Sequence, residues 1–393
     1  MSDSGSKNAI DADQTQIPTP LPSQPSPRDL RLDLIRGAAL LCMHTDHFRH
    51  NELSAWTPRN FGFSDMAEVF VFVSGCVCGI AYGKVLRSQG WLRCQLKALA
   101  RVCQLVGAGA ITLLALVSVQ VVSKWDEEGM TRGTHFWSPL SVVVGMPVSS
   151  LRDIEGGSQV VGILSLYGML LVALPMMLWL RERHWSLLAG TSVVLYGVMQ
   201  VGWMPALHGN GWDKITPFHP LTWQLMFTLG ILSHKLIESG RLQTWGRGSL
   251  AIVSLVVIDV ACVSRLWWPV DEIPLIDKST LGPLRVLHLL AVMVLAYTVI
   301  PGRTQGLWNS APMRWLILCG QNSLFVFCVG SVLVVGVEGL LIANRHSLAS
   351  QCFANLVVWG GCVLLAFAWR YVQGVLSLWM GRAAKESPAP VAG

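Results

Sequence analysis

The chain carries little charge for its length. Asp, Glu, Lys and Arg make up only 13% of its 393 residues, whereas an ordinary soluble domain has about 25%. Tyrosine is scarce, with five residues against seventeen tryptophans, and 52% of the chain is hydrophobic. A soluble protein of this composition would aggregate, which argues against cytosolic enzymes and nucleic-acid binders. The composition favours a multi-pass membrane protein, in which tryptophan concentrates at the membrane interfaces.

Motifs of several large functional classes are also missing. No two of the ten cysteines form a C-x-x-C pair, so the sequence predicts no zinc site and no redox centre. There is no P-loop and no H-E-x-x-H motif, and no serine lies in a G-x-S-x-G elbow. ATP-driven transport and serine-hydrolase chemistry are therefore unsupported.

Ten long apolar runs account for most of the sequence. They cover residues 33–50, 67–86, 98–122, 160–180, 185–204, 220–237, 249–268, 283–301, 312–337 and 353–380. A run of about 20 apolar residues can cross a bilayer as a helix, because a backbone in lipid must satisfy its hydrogen bonds internally. The runs lack the alternation of a β-barrel. We therefore predict an all-α, polytopic membrane protein with about ten transmembrane helices.

Lys and Arg are unevenly shared among the connections between these runs. Alternate connections are basic, with Lys84, Arg87, Arg93, Lys97, Arg181, Arg183, Lys235, Arg241, Arg247, Arg303, Arg314, Arg382 and Lys385. The long connections at 123–159, 205–219 and 269–282 are instead mostly balanced or acidic. Basic connections lie on the cytoplasmic side. Both termini are therefore predicted to be cytoplasmic, and the three long loops extracytoplasmic.

The two ends of the chain differ from this pattern. Residues 1–27 are polar and contain five prolines, which predicts a disordered cytoplasmic tail rather than a cleaved signal peptide. Residues 383–393 are expected to form a second disordered tail. Residues 28–382 are expected to form one integral membrane domain.

The first apolar run is unusually rich in ionisable groups. Its members are Asp33, Arg36, His44, Asp46, His47 and His50. Charges within a membrane are costly and usually face the interior of the helix bundle, where they often take part in function. Arg36 and His47 are eleven residues apart, so on a helix they share one face and lie about 16 Å apart along the axis.

Helical geometry places the other groups relative to this pair. Asp33 and His44 each lie three residues before a member of the pair and join the same face. Asp46 points about 100° away from His47. Two alternatives stay open: Asp33 and Arg36 could simply pair near the headgroups, and His44, His47 and His50 could bind a metal.

A second polar cluster surrounds the start of the second run. It contains Arg59, Asn60, Asp65 and Glu68. Glu68 is expected at the depth of His47, where a carboxylate could orient that histidine as a general base. Asp65 could fill the same role. The alternative is that Glu68 pairs with Arg49 or Arg59 for structural reasons.

Weaker polar signals lie further along the chain. Trp223 and Gln224 stand at the head of the sixth run, and Asn322 lies within the ninth. Such groups could contact a substrate. They could equally form hydrogen bonds between helices, which is their ordinary use in membranes.

Taken together, several segments resemble the OpgC family. They are 28–37 (RDLRLDLIRG), Asp46-His47, 59–75, which begins RNFGFSD, and 220–230 (PLTWQLMFTLG). The resemblance covers about residues 28–380. The family belongs with the type 3 membrane acyltransferases, in which an arginine, ten residues and a histidine mark the first span. Arg36 and His47 match that spacing.

The resemblance implies a succinyltransferase of the bacterial inner membrane that modifies osmoregulated periplasmic glucans. The co-substrate would be cytoplasmic succinyl-CoA or acetyl-CoA, with no bound cofactor and no metal. Besides the donor and the glucan, the partners would be the lipid bilayer and either glucan-synthesis proteins or a second copy of the chain. By motif position, His47 would be the catalytic histidine and Arg36 would help to hold the donor or the pore. From depth and charge we assign Glu68 and Asp46 to catalysis as well. The further candidates for substrate binding are Asp33, Arg59, Asn60, Asp65, Trp223, Gln224 and Asn322.

Two functions remain open from the residues alone. In the first, His47 deprotonates a glucan hydroxyl that attacks the thioester of acyl-CoA, either directly or through an acyl-histidine. In the second, Asp33, Arg36 and His47 form the proton path of a transporter or flippase for a glycan-related substrate.

Overall fold

Helices make up nearly all of the structure that the computed structural model describes. It describes residues 29–48, 51–123, 157–201, 218–238, 247–268, 273, 275–300, 308–343 and 347–386. The tail predicted at 1–27 lies outside these residues, as do most of the loops at 123–159 and 205–219. The last helix continues to Glu386, so it enters the segment predicted as a second tail, of which only 387–393 lies outside.

The described residues form ten α-helices and contain no β-strand, which confirms the all-α prediction. In chain order the helices are α1 Leu30–Asp46, α2 Met66–Ser123, α3 Gly157–Arg183, α4 Trp185–Gln200, α5 Pro220–Glu238, α6 Arg247–Trp267, α7 Pro283–Val299, α8 Ala311–Gln321, α9 Ser323–Ala343 and α10 Leu348–Glu386. Two short 3₁₀ helices, Glu52–Trp56 and Pro58–Asn60, connect α1 to α2.

The helices have the length and surface of a polytopic membrane protein. Among the described residues, α2, α3, α6 and α10 are long and apolar enough to cross a membrane, and the bent pair α8–α9 gives a fifth candidate. Large apolar side chains on α6 and α10 are exposed, for example Val253 and Leu364, as expected for helices that face lipid. The predictions of ten spans and cytoplasmic termini remain predictions.

Helix α2 holds two of the predicted runs, 67–86 and 98–122. Gly90 interrupts it with φ 82° and ψ 176°, a conformation that glycine adopts readily because it has no Cβ. After this break the Cys94 thiol lies 3.8 Å from the carbonyl oxygen of Tyr82. Twelve residues of straight helix would separate the two by about 18 Å. The second part of α2 therefore folds back along the first.

The predicted run 312–337 is likewise divided in two. Helices α8 and α9 meet at an angle of 99°, and Asn322 stands at the bend. Its side-chain amide donates to the carbonyl oxygen of Leu318 at 3.0 Å, which satisfies an acceptor at the end of α8. The bend places the first residue of α9, Ser323, inside the bundle rather than in the middle of a straight span.

Two glycines let helices α1 and α8 approach closely. Where α1 meets α8, a Cβ on Gly37 would overlap the carbonyl of Leu316, and a Cβ on Gly320 would overlap the carbonyl of Asp33. Small residues at such crossings allow backbone to pack on backbone, which strengthens helix association in membranes. The contact fixes α8, and with it the bend, against the polar face of α1.

We predict that Gly320→Ala destabilises the fold because its methyl group overlaps the carbonyl of Asp33. Overpacking of this kind costs about 1–3 kcal/mol. Thermal unfolding of the purified protein in detergent measures the loss. The control is Gly190→Ala on α4, where a Cβ meets nothing within 4 Å. Both changes gain the same helix propensity, so equal unfolding temperatures for the two variants would contradict the prediction.

Candidate functional site

Helix α1 carries both residues of the arginine–histidine spacing. It begins after Asp29, whose side chain accepts a hydrogen bond from the backbone N–H of Arg31 as an N-cap. It ends at Asp46, and His47 is its C-cap. Arg36 is 8% exposed, whereas His47 is half-buried. The helix therefore presents a buried cation in its first half and a more accessible imidazole at its end.

The His47 ring is held by its own helix. Its Nδ1 forms a short contact with the carbonyl oxygen of Met43. A carbonyl oxygen can only accept, so Nδ1 donates and carries the proton in the neutral ring. The lone pair of Nε2 is then the one that can take up a proton. The group on His47 Nδ1 is thus a backbone carbonyl, where the sequence analysis expected a carboxylate.

The loop after α1 engages Asp46 and Asn60. The Thr57 hydroxyl donates to Asp46 Oδ1 at 2.5 Å, and the Asn60 amide donates to the Ser54 carbonyl at 2.6 Å. Arg59 is exposed. The hydrogen bonds of Asp46 and Asn60 therefore fix the conformation of the loop beside His47. The Arg59 side chain extends toward solvent.

Glu68 forms a buried ion pair with a cation that the sequence analysis did not consider. Glu68 is fully buried, and Arg285 of α7 donates from Nε to its Oε1 at 2.6 Å and contacts the same carboxylate through Nη2. The second carboxylate oxygen accepts from the backbone N–H of Asp65 at 2.9 Å. The alternative that Glu68 forms a structural pair is therefore met by Arg285 rather than by Arg59, and Arg49 lies outside the described residues.

Asp65 links the pair to the surface. Arg285 Nη2 lies 3.4 Å from Asp65 Oδ2, and Lys278 Nζ donates to the same oxygen at 2.5 Å. Burial alone would raise the pKa of the Asp65 carboxyl, but the cations Lys278 and Arg285 hold that pKa well below its usual range. The stability that Asp65 contributes is therefore present above its unfolded pKa of about 3.9, and is lost only as the pH falls below it.

The RNFGFSD segment, residues 59–65, is fastened to α7 by a serine and a histidine. His288 Nδ1 accepts from the backbone N–H of Ser64 at 3.2 Å and lies 2.7 Å from the Ser64 hydroxyl. The ring packs so closely on Gly62 (φ 124°) that a Cβ there would overlap it. The glycine in this segment is therefore required by the contact with His288.

Arg36 faces a cavity of about 170 Å³ between α1, both parts of α2, α3 and α9. Arg101, Tyr167 and Ser323 line the same cavity. Arg36 Nη2 lies 3.4 Å from the Val73 carbonyl oxygen, while its buried Nε has no hydrogen-bond partner among the described residues. No carboxylate of the described residues forms an ion pair with Arg36 or Arg101. The first half of α1 therefore lies against a cationic cavity.

Asp33 is almost completely buried near this cavity. The Gln321 amide lies 3.5 Å from its Oδ2, at the end of α8. Arg36 therefore does not form the simple ion pair with Asp33. Its described contacts are with the Val73 carbonyl and with the ring of Phe70, whose centroid lies 6.0 Å away.

Three other predicted residues join helices and loops. The Trp223 indole donates to the carbonyl oxygens of Lys278 and Ser279 at 3.1 and 3.3 Å. Gln224 bonds to Ser192 of α4 through both its amide atoms. Asn322 bonds within the α8–α9 bend. Through Trp223, α5 fixes the loop that carries Lys278 beside Asp65.

Sequence reasoning missed Arg101, Lys278, Arg285 and His288. Arg101 and Arg285 each lie near the start of an apolar run. A cation inside an apolar run usually faces the interior of the bundle, and this signal could have identified both residues. No local signal pairs Arg285 with Glu68, because 217 positions separate them. No group of three metal-ligating side chains occurs in the described part of the chain; His50, one of the three candidate ligands, lies outside it.

The comparison with known families agrees with the resemblance. Residues 28–373 match the family model described as OpgC protein, which is most of the chain and confirms the expected family. No curated protein and no solved structure matches the chain.

We predict that Arg285→Met strongly destabilises the protein, because it leaves the Glu68 carboxylate buried without its cation. Breaking a buried pair typically costs about 3–5 kcal/mol. The matched control is Arg87→Met, which breaks the pair of Arg87 with Glu182, where the arginine side chain is 53% exposed. Such surface pairs contribute about 0–1 kcal/mol.

Thermal unfolding in detergent compares the two variants. The double variant Arg285→Met with Glu68→Leu removes both charges and is expected to regain part of the loss. Equal unfolding temperatures for Arg285→Met and Arg87→Met would contradict the prediction that the buried pair contributes more stability than the surface pair.

Proposed function

The chain belongs to the OpgC family, and on that premise we propose that it is a membrane-bound O-acyltransferase. It transfers an acyl group, with succinyl as the first choice, from cytoplasmic acyl-CoA to a hydroxyl of a periplasmic glucan. Its place is the bacterial inner membrane. The family and the apolar helices support this assignment.

The observation that carries the proposal is the state of His47 at the end of α1. Its Nδ1 is engaged by the Met43 carbonyl, so the basic lone pair is on Nε2, and the residue is half-buried. An imidazole with a fixed tautomer and a basic nitrogen is the usual form of a general base. On the same helix, about 16 Å away, Arg36 faces a cavity suited to the donor.

The reaction then follows from these groups. His47 Nε2 takes the proton of a glucan hydroxyl while the hydroxyl oxygen attacks the thioester carbonyl of acyl-CoA. The tetrahedral intermediate collapses, the carbon–sulfur bond breaks, and the CoA thiolate takes the proton back from the imidazolium. The products are a glucan ester and CoA with a free thiol.

Cations beside His47 oppose protonation of its ring, but they suit the negative charge that develops on the thioester oxygen. Lys278, which is 45% exposed, and Arg59 both lie close enough to act on the His47 ring electrostatically. Positive groups fixed near the reacting carbonyl stabilise its oxyanion. They also favour an acyl group that ends in a carboxylate, which supports succinyl over acetyl.

The carboxylates of the second cluster act through other residues and do not contact the reacting atoms. Glu68 and Asp65 hold Arg285 and Lys278, and Asp46 holds the loop through Thr57. In this proposal they position the cations and the loop around His47. They are not bases in the reaction.

We predict that His47→Ala lowers glucan acylation at least about 100-fold, since general-base catalysis contributes about 10²–10⁴-fold. The assay incubates the purified protein with a periplasmic-type glucan and labelled succinyl-CoA, and measures both the labelled glucan and the released thiol. Labelled acetyl-CoA in a parallel reaction identifies the preferred acyl group.

The control is His184→Asn, at the exposed N-cap of α4, where asparagine is also a good cap; it should retain full activity. Unfolding temperatures establish that both variants are folded. A folded His47→Ala protein that still acylates glucan would overturn the role of His47. A wild-type protein that consumes no thioester with any acceptor would favour the transporter.

A further inference from the structure

Helix α6 lies at the edge of the bundle, where it packs on α7. Its buried side chains, among them Ser254 and Ala261, lie on one face, and the opposite face is exposed. Over Gly248–Trp267 the helix is long and apolar enough to cross a membrane. The exposed face of such a helix contacts either lipid or another transmembrane helix.

A carboxylate lies in the middle of this exposed face. Asp259 is exposed, and its side chain forms no ion pair and no hydrogen bond with the residues that the structure describes. It stands eight residues before Trp267, so about 12 Å of helix separates it from the nearer end of the span. Its short side chain does not reach the headgroups over that distance. A carboxylate that faces only lipid at this depth is costly, so we expect a polar group to cover it.

The exposed residues around Asp259 have the spacing of a helix pair. They recur at intervals of four and three positions along α6, at Ile252, Val256, Asp259, Val263 and Leu266. Two helices with this 3.5-residue period wind around each other with these side chains interlocked. The buried face of α6, with Ser254 and Ala261, lies half a turn away. We call the five exposed residues the α6 seam.

We propose that a second copy of the chain packs on the α6 seam, with the two α6 helices parallel and the two Asp259 side chains in contact. A two-fold axis perpendicular to the membrane keeps every residue at its own depth, so it brings Asp259 opposite the partner's Asp259. Two carboxyl groups in contact can share one proton and bond to each other. A single polar residue within such a seam also fixes the register of the two helices.

The whole seam, and not Asp259 alone, favours a second copy. A different protein with a cation in one transmembrane helix would also cover Asp259, but it would have to match the apolar residues on both sides as well. In a two-fold contact each apolar residue of the seam lies at the depth of its own counterpart. The chain therefore supplies both the polar group and the apolar surface that the contact needs.

The interface also bears on the loop beside His47. Arg265, in the last turn of α6, donates from Nη1 to the carbonyl oxygens of Arg59 and Gly62, both at 2.7 Å. Helix α6 thus holds the segment that precedes Asp65, and a second copy packed on α6 braces that segment. The inference of a dimer does not rest on the proposed function.

Cross-linking of the full-length protein in native membranes tests the seam. Val263→Cys places a thiol one turn from Asp259, and copper phenanthroline in air oxidises two facing thiols to a disulfide. This variant should shift to twice the mass of the chain and return to a monomer on reduction. The matched control is Leu364→Cys on α10, which is also exposed; it should cross-link no more than the wild type, which gives the background of the ten native cysteines.

Substitutions of Asp259 test the polar contact. Asp259→Leu suits a lipid-facing position but lacks the polar group, and it should weaken dimerisation at least about threefold. Asp259→Asn keeps a donor and an acceptor without a charge and should dimerise like the wild type. Energy transfer between donor-labelled and acceptor-labelled copies in lipid vesicles measures the equilibrium. The control is Val253→Leu, at an exposed position of α6 outside the seam, which should leave the equilibrium unchanged.

Three results would overturn the proposal. One is a Val263→Cys protein that cross-links no more than Leu364→Cys. Another is an Asp259→Leu protein that dimerises like the wild type. The third is a Val263→Cys adduct with a different protein in place of the doubled chain, which would assign the α6 seam to that protein. Neither measurement uses glucan or acyl-CoA, so a failure of the proposed function would leave both results unchanged.

Discussion

A charge in the apolar interior of a helix bundle is stable only when an opposite charge or a polar group compensates it. In this protein the cluster around Glu68 meets the requirement internally, because Arg285 neutralises Glu68 and shares Asp65 with Lys278. Another buried cation, Arg36, has no such partner among the described residues and faces a cavity. The contrast separates a structural group of charges from one that is open to a ligand.

The end of α1 depends on the structural group. The ion pair of Glu68 and Arg285 joins α2 to α7, and Ser64 and His288 fasten the preceding segment to the same helix. Trp223 of α5 fixes the backbone at Lys278. These contacts hold the loop and its cations around His47, so residues that never touch the substrate set the surroundings of the proposed base.

Local patterns predicted the parts of the site that lie on one helix. The spacing of Arg36 and His47, their common face and their separation all follow from helical geometry, and the apolar runs predicted the helices. Asp65 and Glu68 also have the spacing of a capping box, an acidic N-cap with a glutamate three residues later, a signal that was not used to predict the site. It indicates a structural use of Glu68, and the hydrogen bond from the Asp65 N–H to Glu68 agrees with it.

Composition, periodicity and short motifs are local properties of the chain, and they were enough to predict the membrane class, the all-α fold, the family and the position of the arginine–histidine pair. Three contacts came only from the folded structure: Arg285 pairs with Glu68, Met43 engages the His47 ring, and Arg101 lines the same cavity as Arg36. The first joins residues far apart in the chain, and the third depends on the break at Gly90. No local pattern carries that information, since an apolar run reads the same whether the helix is straight or folds back on itself.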